Sequence, residues 1–235
     1  DAACDWSSDV CSSDLIADSA AIAIHTPLGI ILHTGDFKID YTPIDGQVAD
    51  LPRFVELGKK GVIAMLADST NVERKGYTMS ERTVGKTFEN IFSKADGRII
   101  VATFASNIHR IQQIITASEK IGRKVAVSGR SMENIVAVAS ELGYLKFQDG
   151  TLISIDDIKK YSNDRITIIT TGSQGEPMSA LSRMASSDHK KVSIIPGDMV
   201  IISATPIPGN EKLVSKVINQ LFKQGANVIR SESVV

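Results

Sequence analysis

From residue 97 to residue 229 the chain exchanges short apolar runs for helix-spaced ones with a regularity that few architectures accept. Strands are predicted over 98–104, 124–128, 165–170, 191–195, 199–203 and 227–229. Helices are predicted over 107–121, 132–142, 180–185 and 211–224. Helices of this length between strands imply βαβ crossovers and a mainly parallel sheet, whose binding loops gather at the strands' carboxyl ends. Upstream, 29–33 and 61–66 also read as buried strands, with helical spacing at Leu51, Phe54, Val55 and Gly58 between them.

Several strand ends carry chemistry. In His33-Thr-Gly-Asp-Phe-Lys-Ile-Asp40 an acidic residue follows a β-prone run and a Thr-Gly turn. The strand fixes the backbone and the turn leaves the Asp36 side chain to offer its two oxygens to one or two divalent ions. Asp68, in Ala67-Asp-Ser-Thr-Asn71, is a second strand-end carboxylate, with an Asx-turn as its structural alternative. In Thr103-Phe-Ala-Ser-Asn-Ile-His-Arg110, Ser106 or Asn107 opens a helix whose first N–H groups face the loop. This suits a phosphate, and equally a plain N-cap. One crossover later, Ser128-Gly-Arg-Ser-Met-Glu133 repeats the arrangement, with Ser131 able to cap and Arg130 offering a planar donor fork. Thr170-Thr-Gly-Ser-Gln-Gly-Glu-Pro177 holds more hydroxyls, amides and glycines than a crossover turn needs, and Thr205-Pro-Ile-Pro-Gly-Asn-Glu211 follows a later strand. Gly172 to Gly175 lacks the spacing of a dinucleotide fingerprint.

Taken in order, these motifs resemble ribonuclease J, a family of metallo-β-lactamase-fold nucleases with an inserted β-CASP domain. The likeness runs over 16–235. It implies an α/β fold: part of a metallo-β-lactamase αββα domain over 16–80, then a β-CASP domain over 81–225 with a mainly parallel sheet flanked by helices. Residues 226–235 would begin the return to the first domain. The resemblance implies a metal-dependent ribonuclease, exonuclease or endonuclease, acting in RNA maturation and decay. Its ions would be two divalent metals, zinc first, with manganese or magnesium as alternatives. Its partner would be single-stranded RNA with a 5′-monophosphate, and its setting a cytoplasmic homodimer or homotetramer. Asp36 would be a catalytic metal ligand and Asp68 its catalytic support. Ser106, Asn107, Ile108, His109, Arg130, Ser131, Ser173 and Glu176 would contact substrate. The family's His-x-His-x-Asp-His cluster is not in this sequence, and neither His25 nor His33 matches a ligand position. The chain therefore reads as a fragment that is inactive alone, since zinc takes three or more protein ligands. The alternatives are a flavodoxin-like nucleotide-binding module without hydrolysis and a β-CASP nuclease acting on DNA.

Residues 1–15 stand apart. Asp5-Trp-Ser-Ser-Asp-Val-Cys-Ser-Ser-Asp-Leu15 resembles a sequencing-library adapter read through in frame, and is expected to form no element of the fold. It holds Cys4, Cys11 and Trp6, which are both cysteines and the only tryptophan of the 235 residues. Beyond it no disulfide or thiolate metal site is available. With a formal net charge of −1, RNA binding would rest on local basic groups, for which Arg98, His109, Arg110, Arg123, Lys124 and Arg130 are candidates. No apolar run reaches the roughly 20 residues of a membrane span.

Overall fold

The computed structural model describes residues 7–12, 19–44, 46, 48–70, 72–73 and 75–230. The chain divides into two compact units, at Arg82 and Thr83.

The first unit is built on a four-stranded sheet in the order β1-β2-β3-β4. β1 (Ser7–Ser12), β2 (Ala20–Thr26) and β3 (Gly29–His33) are antiparallel neighbours, and β4 (Val62–Leu66) lies parallel to β3. Alternation puts Ala21 and Ala23 of β2 and Ile30 and Leu32 of β3 on one buried face. There they meet Leu57 of α1 (Leu51–Lys60). The side chain of Asp50 caps α1 by accepting from the Arg53 N–H at 3.1 Å, and the helix supplies the crossover that parallel β3 and β4 require.

β1 corrects an expectation, because it falls within residues 1–15. Its six residues pair in register with β2, from Ser7 opposite His25 to Ser12 opposite Ala20. An edge strand presents unpaired N–H and C=O groups to any extended segment whatever its side chains, so ladder formation says little about the origin of the added strand.

The second unit holds a six-stranded sheet, every pair of it parallel, in the order β10-β9-β5-β8-β6-β7. Its strands are β5 (Ile99–Ala102), β6 (Lys124–Ser128), β7 (Leu152–Ile153), β8 (Ile166–Thr170), β9 (Met199–Ile202) and β10 (Asn227–Arg230). Both faces are covered. Ile99, Val101 and Ile201 pack with α2 (Glu81–Phe92), α3 (Ile108–Lys120) and α4 (Arg130–Glu141). Ile100, Ile168 and Val200 pack with α5 (Ala180–Ala185) and α6 (Glu211–Lys223). Fully burying each such side chain is worth about 1.5–3 kcal/mol, which explains why the strands read as continuous apolar runs. The strand predicted over 227–229 forms as β10 and pairs with β9 at the edge of the sheet.

The strand predicted over 191–195 does not form. Its backbone groups find partners among side chains: His189 Nδ1 accepts from the Lys191 and Val192 N–H, the Asp198 carboxylate accepts from the Ile195 N–H, and Arg98 donates to the Ser193 carbonyl. With these groups satisfied the segment has no need of a ladder. A helix the sequence reading passed over, α2, buries Val84, Phe88 and Phe92 at a four-residue spacing.

Candidate functional site

Two sets of loops carry the predicted residues, one in each unit. In the first unit the ends of β3 and β4 are tied by Thr34. Its N–H donates to the Leu66 carbonyl at 3.0 Å, and its Oγ1 accepts from the Asp68 N–H at 3.2 Å. His33 serves the turn itself, its Nδ1 accepting from the Gly35 N–H at 3.0 Å. Asp36 follows, exposed, on the loop after β3. Asp68 forms the Asx-turn held as its structural alternative: Oδ1 accepts from the Thr70 N–H at 2.9 Å and the Thr70 hydroxyl at 2.7 Å. Those two bonds, aided by the Phe37 and Ser69 N–H groups, hold its pKa below the ordinary carboxylate value. Asp68 therefore stays ionised beside the residue that follows Asp36. Phe37, Asp68, Thr70 and Tyr77 are among the walls of a cleft of about 420 Å³. Among the described residues no three of His, Cys, Asp and Glu gather as a metal-binding group. These residues alone do not fit a zinc centre, since Asp36 supplies one carboxylate where three or four ligands are needed.

Asp40 has a role that sequence reading missed. Burial works against its charge, but donors from Thr42, Ser80 and Glu81 and the charge of Lys38 outweigh that and lower its pKa. Its Oδ2 accepts from the Glu81 N–H at 3.2 Å, at the start of α2, so this carboxylate caps a helix.

In the second unit the loops after β9, β5, β8 and β6 share one edge of the sheet, because all these strands run the same way. Asn107 is the N-cap of α3, its Oδ1 accepting from the Arg110 N–H at 2.9 Å. Ser106 beside it is exposed, and Ile108 and His109 begin the helix half-buried. At the base of this loop Thr103 is 1% exposed and its hydroxyl meets no hydrogen-bond partner among the described residues. Ser173 is buried in the loop after β8. Its neighbour Gln174 latches that loop to the one after β9, donating to the Thr205 carbonyl at 3.0 Å and accepting from the Ile207 N–H at 2.7 Å.

Across this same segment, residues 96–221 match the sequence model of the ribonuclease J β-CASP domain, more than half of the chain. The chain belongs to the ribonuclease J family. It is 50% identical over 214 residues to ribonuclease J of Thermus thermophilus, covering 91% of this chain and 37% of that protein. It is 45% identical over 220 residues to ribonuclease J2 of Bacillus subtilis, covering 94% of this chain and 40% of the relative. The chain thus spans about two fifths of these curated relatives. A crystal structure of a protein of unknown function from Enterococcus faecalis superposes with a TM-score of 0.61 at 16% identity, over 96% of this chain and 52% of that one, and shows the shared fold.

Within this family fold the basic cluster expected to meet RNA is largely structural. The buried Arg98 pairs with Asp198. Arg110 donates to the carbonyl and hydroxyl of Ser203 at 2.8 and 2.9 Å. Arg123 spans the carbonyls of Gly97, Ile166 and Ala95 at 2.8, 3.1 and 2.7 Å, and Lys124 reaches that of Gly150 at 2.7 Å. A guanidinium's five donors suit it to collecting strand-end carbonyls, a use that charge counting cannot foresee. Arg130 lines a cleft of about 870 Å³, as do Ser131 and Glu176. Ser131 is not the cap of α4. That position is Gly129, whose φ of 112° favours glycine and which makes no side-chain cap bond. Ser106, Asn107, Ile108, His109 and Ser173 do not line this cleft.

His189, which the sequence reading did not single out, stands in the cleft wall. Its Nδ1 accepts from the Val192 N–H at 3.0 Å and the Lys191 N–H at 3.3 Å. The neutral ring therefore carries its proton on Nε2, which lies 3.1 Å from the Ser128 hydroxyl. Burial, then the charges of Arg183 and Lys191, lower its pKa, with Glu133 opposing. A histidine with a depressed folded pKa stabilises the fold above its unfolded pKa of about 6.5 and loses that contribution as pH falls toward the folded value. The melting midpoint is expected to fall between about pH 7 and pH 5, with a smaller fall in His189→Gln. Equal slopes in thermal melts of the two proteins would count against His189 as the source.

Proposed function

We propose that this chain is part of a ribonuclease that hydrolyses RNA phosphodiesters, with single-stranded, 5′-monophosphorylated RNA lying along the carboxyl edge of the six-stranded sheet. The observation that carries the reading is the family match over the very segment whose loops after β5, β8, β6 and β9 share that edge. Asp36 is proposed as one ligand of a centre of two divalent ions, zinc first and manganese or magnesium otherwise, completed by residues other than those described. Such ions supply charge neutralisation at phosphate oxygens and a hydroxide at neutral pH. Asp68, ionised and fixed by Thr70, is proposed to steady that region. Ser106, with the Asn107 amide left beyond its capping oxygen, is proposed to hold a substrate phosphate at the start of α3, joined by Ile108 and His109. Ser173 shapes the adjoining loop from within. A cytoplasmic homodimer or homotetramer is the assembly proposed for the intact protein. No helix among the described residues is long and apolar enough to cross a membrane.

The test is Ser106→Ala combined with Asn107→Ala in the longer protein that carries this chain. Loss of the cap costs about 1 kcal/mol of stability. Removal of two oriented phosphate contacts should weaken RNA binding or turnover at least tenfold, about 1.4 kcal/mol. Melting curves, RNA affinity and single-turnover rates separate the two effects, and a lowered midpoint with normal affinity and rate would leave the loop as a helix cap only. DNA of the same sequence in parallel decides between RNA and DNA as substrate.

A further inference from the structure

Beside Asp68 the first unit leaves aromatic and aliphatic side chains uncovered. Tyr77 is 88% exposed, Val72 78%, Ile39 51% and Phe37 38%, and all four line the cleft of about 420 Å³. Single exposed apolar residues are common on any surface, but four around one concavity form a patch of the kind that marks a binding site. Neither Phe37 nor Tyr77 pairs with another aromatic ring among the described residues. The charges decide what can lie there. Among the described residues the cleft's one cation is Lys38, which donates to the Met79 carbonyl at 2.7 Å and pairs with Glu81 at 3.9 Å. Asp68 is ionised, its Oδ1 taken up by Thr70. A phosphate would meet a carboxylate and no uncommitted cation, and is disfavoured. A neutral, flat, aromatic group is favoured, because rings stack on rings and the hydroxyls of Ser69 and Thr78 remain for polar atoms at its edge.

Position in the chain narrows the ligand further. Phe37 directly follows Asp36, and consecutive Cα atoms lie about 3.8 Å apart, so a ring stacked at Phe37 is within one nucleotide's reach of a phosphate held near Asp36. We propose that this cleft binds a nucleobase: Tyr77 and Phe37 stack the base of the nucleotide next to that phosphate, and Ile39 and Val72 close the pocket around it. The inference rests on the ribonuclease reading for the strand to which the base belongs. The cleft's volume falls within the range of roughly 300–1,000 Å³ common to small-ligand sites. Every base has a π-face, so the stack adds affinity and register without a sequence preference.

The experiment walks a single abasic ribose along a 5′-monophosphorylated single-stranded RNA. Fluorescence anisotropy reads the affinity of each oligonucleotide for the longer protein that carries this chain, and cleavage is followed separately. At one position the abasic substitution should weaken binding about tenfold in the parent, the loss of one base–aromatic stack, and not at all in Tyr77→Ala. Tyr77→Ala should weaken binding of the unmodified RNA by the same factor, and Tyr77→Phe, which keeps the ring, should restore it. The melting midpoint should stay at the parent's value, because so exposed a ring supports no element of the sheet. Unmodified RNA bound as tightly by Tyr77→Ala as by the parent overturns the proposal. A lowered midpoint would then assign the cleft to the rest of the longer chain, and a reduced oligomeric mass would assign it to a second copy. Full sensitivity to every abasic ribose in Tyr77→Ala overturns it as well, since the base then lies elsewhere. If the walk and the variants behave as described and the RNA is never cleaved, the base pocket stands and the ribonuclease reading fails. Cleavage without the coupled position leaves the ribonuclease reading and removes the pocket.

Discussion

Asp198→Ala should cost this fold about 3–5 kcal/mol, because it strands a buried guanidinium without its counter-charge. Arg98 donates through Nε to Asp198 Oδ1 at 2.9 Å and through Nη2 to Oδ2 at 2.6 Å, and the two side chains are 10% and 1% exposed. The same carboxylate accepts from the Ile195 N–H at 2.9 Å, and Arg98 also donates to the Ser193 carbonyl at 2.7 Å. One substitution thus frees a cation and a backbone donor together. At roughly 2–4 °C per kcal/mol for a chain of this size, the midpoint should drop by about 10 °C. Local packing leaves little room to relax: a Cβ on Gly97 would lie 2.5 Å from the Gly197 carbonyl oxygen, so the two strand starts are already in contact. The contrast is Arg98→Met with Asp198→Leu, which removes both charges and should recover most of the loss, since apolar replacements of a buried pair are often neutral or better. A single variant as stable as the parent in thermal and urea melts would show that water reaches the pair.

That pair also marks where the sequence stopped being legible. The strands at β5, β6, β8 and β9 could be read because burial on both faces leaves short runs made mainly of Ile, Val and Ala, a local signal with a single cause. Residues 191–195 carry the same apolar signal and are coil, because side chains take their hydrogen bonds: His189 and Asp198 from nearby positions and Arg98 from a distant one. The apolar spacing of the segment does not record that. The arginines follow the same logic. Arg98, Arg110 and Arg123 look like surface charge in sequence, and only the sheet shows that strand-end carbonyls surround them. Conversely, α2 had a readable spacing in Val84, Phe88 and Phe92 that the motif-led reading passed over. His189 could not have been found from its neighbours, since the cue is Ser128, sixty-one positions away.

The loops at Asp36 and Asp68 give the largest expected effect on activity, and they separate a reacting-site role from a structural one. In the longer protein Asp36→Ala should reduce RNA turnover a hundredfold or more, since a metal ion stabilises several kcal/mol of developing charge at a phosphoryl centre. It should leave RNA affinity and the melting midpoint near those of the parent, because Asp36 is exposed and bears no element of the sheet. Asp68→Ala should differ in kind. Its Oδ1 holds the Thr70 N–H and hydroxyl, so its loss opens a turn at a cost of about 1 kcal/mol as well as lowering turnover ten- to a hundredfold. Asp68→Asn retains an acceptor for Thr70 and loses only the charge, and should restore the midpoint without restoring the rate. Asp36→Ala with undiminished turnover would remove Asp36 from the proposed centre. Recovery of both properties in Asp68→Asn would reduce Asp68 to its Asx-turn, a residue that shapes the β4 loop and does nothing for the reaction.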